Sequence, residues 1–137
     1  MKCLKYSLAI VSLLILTVGS IAGAERKEFI ATIGSDGVQR VDVTGGSYYF
    51  NPNYIIVKVN IPVEMKIRKE SGLAPHDFVI KAPEAGMDIQ VSMGTEPTVT
   101  RFKPTKIGTY PFYCSKKIPF LESHREKGME GVLDVRE

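Results

Sequence analysis

The sequence predicts an all-β fold of the β-sandwich class. Three observations support this prediction: short segments rich in β-branched and aromatic residues recur along the chain, turn residues separate them, and the helix signal is weak. The turn residues are plentiful, with 12 glycines and 8 prolines among 137 residues. Short strands at regular spacing, with turn signals between them, are typical of a sandwich of two sheets.

The predicted strands follow one another through most of the chain. Segment 54–59 has the strongest signal, by β-branched content and by length. Segments 38–44 and 63–68 alternate apolar and polar residues, as strands with one buried face do. Residues 48–50 lead into a turn at 51–53. The predicted strands are residues 29–33, 38–44, 54–59, 63–68, 76–80, 99–102, 108–114 and 131–135. Only two segments, 84–90 and 120–127, are expected to form a helical turn.

The N-terminal segment is predicted to be a secretory signal peptide, residues 1–24. Lys2 and Lys5 precede an apolar run over 8–21, and Ala22-Gly23-Ala24 is a small-residue cleavage site. The apolar run is shorter than the roughly 20 residues that a membrane-spanning helix needs. We therefore expect cleavage after Ala24, a periplasmic or otherwise exported protein, and one domain over 25–137 that is not inserted in a membrane.

The cysteine content limits the roles that the thiol of the exported chain can have. Cys3 leaves with the signal peptide, so Cys114 is the one thiol of the exported chain and no internal disulfide is possible. Such a thiol forms a disulfide with a partner protein, is buried and inert, or binds a metal. The formal net charge of +3 includes no long block of like charge, so nothing in it indicates a nucleic-acid partner.

The last 30 residues favour the metal ligand. Cys114 ends a predicted strand, His124 follows after nine intervening residues, and Met129 after four more. The other histidine, His76, begins a predicted strand after Pro75. Two imidazoles, a thiolate and a weak thioether suit both oxidation states of copper. Zinc is the competitor for two histidines and one cysteine, but a thioether is an unusual fourth ligand for it.

Four segments resemble the plastocyanin-like cupredoxins, which are type 1 copper proteins. Residues 108–115 resemble their copper-cysteine strand, and 124–131 resemble their closing H-x₄-M-x-G motif. Residues 50–57 and 75–80 resemble an upstream strand and the strand with their first histidine.

This resemblance implies a Greek-key β-sandwich that holds one copper ion, Cu(I) or Cu(II), at one end. The implied ligands are His76, Cys114, His124 and Met129. The implied role is single-electron transfer, as a monomer, between transient redox protein partners.

One departure from the family is the long segment between Cys114 and His124. Family members have only a few residues there, whereas nine intervene here, so the placement of His124 is open. Glu122 and Glu130 are alternatives to Met129 as the axial ligand. The segment also contains Lys116, Lys117 and an apolar run over 118–121, which either folds inward to shield the metal or forms a docking patch for an acidic partner.

Three other functions are alternatives to electron transfer. A copper chaperone or storage protein is the main alternative, and Met65, Met87 and Met93 favour it to some extent. A copper enzyme needs further metal centres, which two histidines cannot build, and a dinuclear centre needs a second cysteine. The chain is therefore not expected to be an enzyme. A purely structural sandwich leaves the exported thiol unexplained.

Overall fold

A computed structural model describes residues 24–137, and it is almost entirely β-structure. The predicted signal peptide, apart from Ala24, lies outside the described residues. Within 24–137, no helix is both long enough and apolar enough to cross a membrane. The strands are β1 (Glu28–Ile30), β2 (Gln39–Gly46), β3 (Tyr49–Asn51), β4 (Tyr54–Lys58), β5 (Val63–Lys69), β6 (His76–Ala82), β7 (Met87–Met93), β8 (Thr98–Phe102), β9 (Gly108–Tyr113) and β10 (Glu130–Arg136).

The strands form two sheets packed face to face. One sheet has six strands in the order β1-β4-β10-β9-β6-β7, and the other has four in the order β3-β2-β5-β8. Parallel pairs join β2 to β5 and β4 to β10, because the chain crosses repeatedly between the sheets. The predicted all-β, Greek-key sandwich is confirmed.

The core consists of the inward-facing side chains of both sheets. Val63, Met65 and Ile67 alternate with exposed or half-buried residues along β5, as the sequence pattern predicts, and all three are inaccessible to solvent. Phe50, Phe78 and Phe112 pack with ring centroids 4.9–5.6 Å apart. The last two lie two residues from His76 and Cys114 respectively, so they face the same side of the sheet as these residues.

The prediction of a helical turn over 84–90 is wrong for most of its length. A single 3₁₀ turn, Pro83–Ala85, ends at Gly86, whose φ of 77° reverses the chain. Strand β7 then pairs with β6 along its whole length, from Ala82↔Met87 to His76↔Met93. The residues of β7 alternate with a period of two, which is the strand signal. Segment 120–127 contains turns and no helix.

Three strand ends meet at one end of the sandwich. Strand β6 begins at His76, the antiparallel β9 ends one residue before Cys114, and β10 begins one residue after Met129. The topology therefore gathers the predicted ligands at one site although 48 positions separate the two histidines.

Candidate metal centre

His76 and Cys114 are held by strands. Both side chains face the interior, at 6% and 0% exposure. The backbone N–H of Cys114 donates to the carbonyl of Met129 at 3.1 Å, which continues the β9–β10 ladder past the end of both strands. Two of the three strongest donors are thus fixed by backbone pairing rather than by a loop.

His124 lies in a loop but is fixed by the backbone. Its N–H donates to the Lys116 carbonyl at 2.9 Å, and its carbonyl accepts from the N–H of Met129 at 2.9 Å. Its ring packs edge-on against Tyr48, with centroids 5.1 Å apart, and its exposure is 5%. The long segment after Cys114 therefore does not displace this histidine.

The three donor atoms form a compact triangle. The Nδ1 atoms of His76 and His124 are 3.1 Å apart, and Cys114 Sγ lies 3.9 Å and 3.6 Å from them. A metal bonded at roughly 2.0–2.1 Å to nitrogen and 2.3 Å to sulfur separates such donors by roughly 3.3–3.8 Å. The residues present fit a metal ion at the centre of the triangle with small adjustments.

Burial keeps this triangle uncharged in the metal-free protein. Desolvation lowers the pKa of His76, to which the nearby His124 adds, and desolvation likewise lowers the pKa of His124. Burial raises the pKa of the Cys114 thiol above its ordinary value of 9.0. At neutral pH the site thus holds two neutral imidazoles and a thiol, and metal binding must release the thiol proton.

Asp77 supports the centre from the outer side of β6. Its buried carboxylate accepts hydrogen bonds from Ser115 N at 2.6 Å and Ser115 Oγ at 2.5 Å, and Lys116 Nζ lies 3.8 Å away. Burial alone would raise the pKa of Asp77, but the bonds from Ser115 and the charge of Lys116 hold it below 3.8. The carboxylate is therefore ionised and ties the residue after Cys114 to the residue after His76.

The structure joins the Met129 backbone to Cys114 and His124 by hydrogen bonds and places the two candidate carboxylates on the surface. Met129 is fully buried and follows His124 by one turn of backbone. Glu130 is exposed and pairs with Arg125 at 2.8 Å, and Glu122 is also exposed. Neither carboxylate is part of the buried cluster of donors.

The loops next to the ligands in the sequence expose apolar side chains. Phe120 and Leu121 are exposed by 106% and 60%, so of the two alternatives for this segment the structure contradicts the inward fold. Leu73, in the loop before His76, is also fully exposed. Lys117 is exposed, whereas Lys116 reaches back towards Asp77.

Sequence reasoning missed two neighbours of the site. Asp77 follows a predicted ligand within a buried strand, and a carboxylate at such a position was the available signal. Tyr48 contacts His124 from a turn in which its own φ is 62°, and no local pattern marks that contact.

Comparison with known proteins shows similarity in structure but not in sequence. No protein-family profile and no curated protein sequence matches the chain. The Cu(I)-bound metal binding domain of CopA, a Cu(I)-exporting P-type ATPase of Streptococcus pneumoniae D39, gives a TM-score of 0.62 at 19% identity, over 82% of this chain and 99% of that one. Auracyanin A, a "blue" copper protein of Chloroflexus aurantiacus, gives a TM-score of 0.53 at 18% identity, over 73% of this chain and 100% of auracyanin A. A multicopper oxidase gives a TM-score of 0.59 at 15% identity, over 80% of this chain and 47% of the oxidase chain.

At such low identities the similarity in structure, with TM-scores of 0.53–0.62, establishes the fold alone. The chain has the cupredoxin fold, and its His76, Cys114 and His124 donors fit a type 1 copper site.

Proposed function

We propose that this chain is an exported, monomeric copper protein that carries single electrons between redox proteins. His76, Cys114 and His124 would hold one copper ion, with Met129 as a weak axial ligand. The observation that carries the proposal is the buried donor triangle of His76, Cys114 and His124, with sides of 3.1–3.9 Å. Bound copper would supply the reversible Cu(I)/Cu(II) couple.

The rigidity of the centre supports electron transfer. Two ligands lie at the ends of neighbouring paired strands, two residues from the packed Phe78 and Phe112 rings, and the third is held by two backbone hydrogen bonds. A centre that cannot relax towards the preferred geometry of either oxidation state changes little when an electron arrives or leaves. Within residues 24–137, one cluster of His, Cys and carboxylate side chains could hold a metal, which supports an electron carrier rather than a multicentre enzyme.

A copper carrier or storage protein is the second candidate. The fold similarity to a Cu(I)-bound domain of a copper exporter favours it. Two of the methionines that suggested it, Met65 and Met87, are fully buried in the sandwich core and cannot form an exposed exchange site. Slow loss of Cu(I) to a competing chelator, with fast electron exchange, would favour the electron carrier, and the reverse would favour the copper carrier.

The absorption spectrum of the copper-loaded protein tests the proposed centre. We expect one copper per chain and an intense visible band from thiolate-to-copper charge transfer. Cys114→Ser should abolish the band but keep the far-ultraviolet circular dichroism of the sandwich, because Cys114 contributes little to a core built from many strands. Equal colour in this variant would remove Cys114 from the centre and contradict the proposal.

The exposed apolar loop is the proposed docking face, with Lys116 and Lys117 as its cations. Charges at the edge of a docking face mainly set the association rate. Lys116→Gln/Lys117→Gln should therefore slow oxidation by the anion hexacyanoferrate(III) and make the oxidation rate depend less on salt concentration. Lys103→Gln/Lys106→Gln is the matched control, because it removes two exposed cations near Gly86, at the opposite end of β7 from Met93. Equal rates and salt slopes in both variants would mean that the loop cations do not steer the partner.

A further inference from the structure

Four neighbouring strands place sulfur or nitrogen donors at the same end of the large sheet. Met129 precedes β10, Cys114 follows β9, His76 begins β6 and Met93 ends β7, and all four side chains are buried. Met93 is the direct cross-strand partner of His76. Paired residues of neighbouring strands project to the same face, so the Met93 side chain lies beside the His76 imidazole on the side away from Cys114.

A glycine in the opposite sheet makes room for two methionines. A β-carbon on Gly45 of β2 would lie 2.7 Å from Met93 Cε, 3.4 Å from Met93 Sδ and 3.1 Å from Met129 Cε. The two methyl groups therefore meet over one backbone position, in space that an alanine side chain would fill. Met129 and Met93 thus belong to the strands on either side of the pair that carries Cys114 and His76, and their side chains converge at Gly45.

From this convergence we propose that Met93 is a second thioether donor of the copper centre and binds Cu(I) together with Met129. The inference rests on the proposed copper function. Thioether sulfur is a soft ligand that selects Cu(I) over harder ions. A long, unbranched side chain can approach or leave the ion without moving the strand that bears it. The reduced centre would then have a sulfur-rich ligand set of one thiolate and two thioethers.

Met87 provides the matched control for ordinary core packing. It lies on the same strand and the same face, is fully buried, and pairs with Ala82 at the far end of β7. Met93→Leu and Met87→Leu therefore remove equivalent thioethers from equivalent surroundings, and only the first variant removes one that lies beside the donor triangle.

Cu(I) affinity and X-ray absorption of the Cu(I)-loaded protein test the proposal. We expect Met93→Leu to weaken Cu(I) binding, measured by competition with bicinchoninate, by about tenfold, the lower end of what groups around a metal contribute. We also expect it to lose one copper–sulfur contact in the absorption fine structure, and Met87→Leu to change neither quantity.

Two measurements do not depend on the folding of the Leu variants. The unsubstituted protein should show three sulfur neighbours of Cu(I), and Gly45→Ala should reduce that number. Two or fewer sulfur neighbours in the unsubstituted protein, or equal affinities for both Leu variants, would overturn the role of Met93 and leave the proposed function standing. Failure of the unsubstituted protein to bind copper would overturn both.

Discussion

Replacing the buried carboxylate that joins the two ligand-bearing segments should destabilise the metal-free protein measurably. In Asp77→Asn, the amide oxygen can still accept from the Ser115 N–H, and the amide nitrogen can donate to Ser115 Oγ. The two hydrogen bonds at 2.6 Å and 2.5 Å therefore persist in kind but lose the negative charge. The substitution removes that charge without creating a cavity, and the one further hydrogen bond that it loses is the long one from Gln90 Nε2, at 3.4 Å.

The magnitude follows from the two bonds. A hydrogen bond to a charged group contributes about 1.5–3 kcal/mol and a neutral one about 0.5–1.5 kcal/mol. Two such bonds are weakened, and the amide is less costly to bury than the carboxylate, which offsets part of the loss. We expect the free energy of unfolding at neutral pH to fall by about 2 kcal/mol.

Urea denaturation of the reduced, copper-free protein at several pH values is the assay. The pKa of Asp77 is lowered on folding, so its charge stabilises the native state above its ordinary pKa of 3.8. That stabilisation is lost as the pH falls through the lower native pKa. The difference between Asp77→Asn and the unsubstituted protein should thus be constant near neutral pH and shrink below pH 3.8.

The control is Asp88→Asn, which removes an exposed carboxylate from the neighbouring strand. Asp88 pairs with Lys81 at 2.7 Å, but its side chain is 61% exposed, so its loss should cost less than about 1 kcal/mol. Equal destabilisation by the two substitutions, or a difference that does not change with pH, would refute the assignment of a charged clamp to Asp77.

Three further predictions concern the axial ligand, proton release and packing. Met129→Leu should keep the copper and raise the reduction potential, because loss of a weak donor penalises Cu(II) more; a larger change in Glu130→Gln would assign the axial role to the carboxylate. Copper affinity should rise about tenfold per pH unit from pH 7 to 9, because the pKa of Cys114 is raised and binding releases its proton; a flat competition titration would contradict this. Gly131→Ala should cost about 1–3 kcal/mol in urea denaturation, because a β-carbon there would lie 2.3 Å from an aromatic ring carbon. Gly94→Ala, whose nearest contact would be 3.6 Å, should be close to neutral.

The sequence predicts the sandwich and three of the buried donors because both depend on local patterns. Alternation along β5 identifies a strand whatever it packs against. The spacing of Cys114, His124 and Met129 lies within one strand–loop–strand segment, so short-range sequence is sufficient to group them. His76 was harder to place, because it joins the others only through the pairing of β6 with β9.

The remaining features depend on contacts between distant segments. Strand β7 was missed because Pro83 and Gly86 at its start resemble the ends of a helical turn, although the residues after them alternate with a period of two. The position of Met93 beside His76 follows from the β6–β7 register, and its approach to Met129 follows from a glycine in the other sheet. No pattern within a single strand contains either relation.

The hydrogen bond between His124 N–H and the Lys116 carbonyl divides the long ligand loop into two parts. The residues proposed to hold the metal form a short closed ring of chain, and residues 117–123 form an appendage whose two ends are already joined. Changes in the appendage need not move the imidazole. Its length and composition are therefore free to diverge, and the same copper centre could serve different partners in related chains through exchange of this one segment. Grafting a different loop of equal or shorter length between Lys116 and His124 should accordingly change the oxidants with which the protein reacts. The visible absorption spectrum of the copper-loaded protein should stay unchanged.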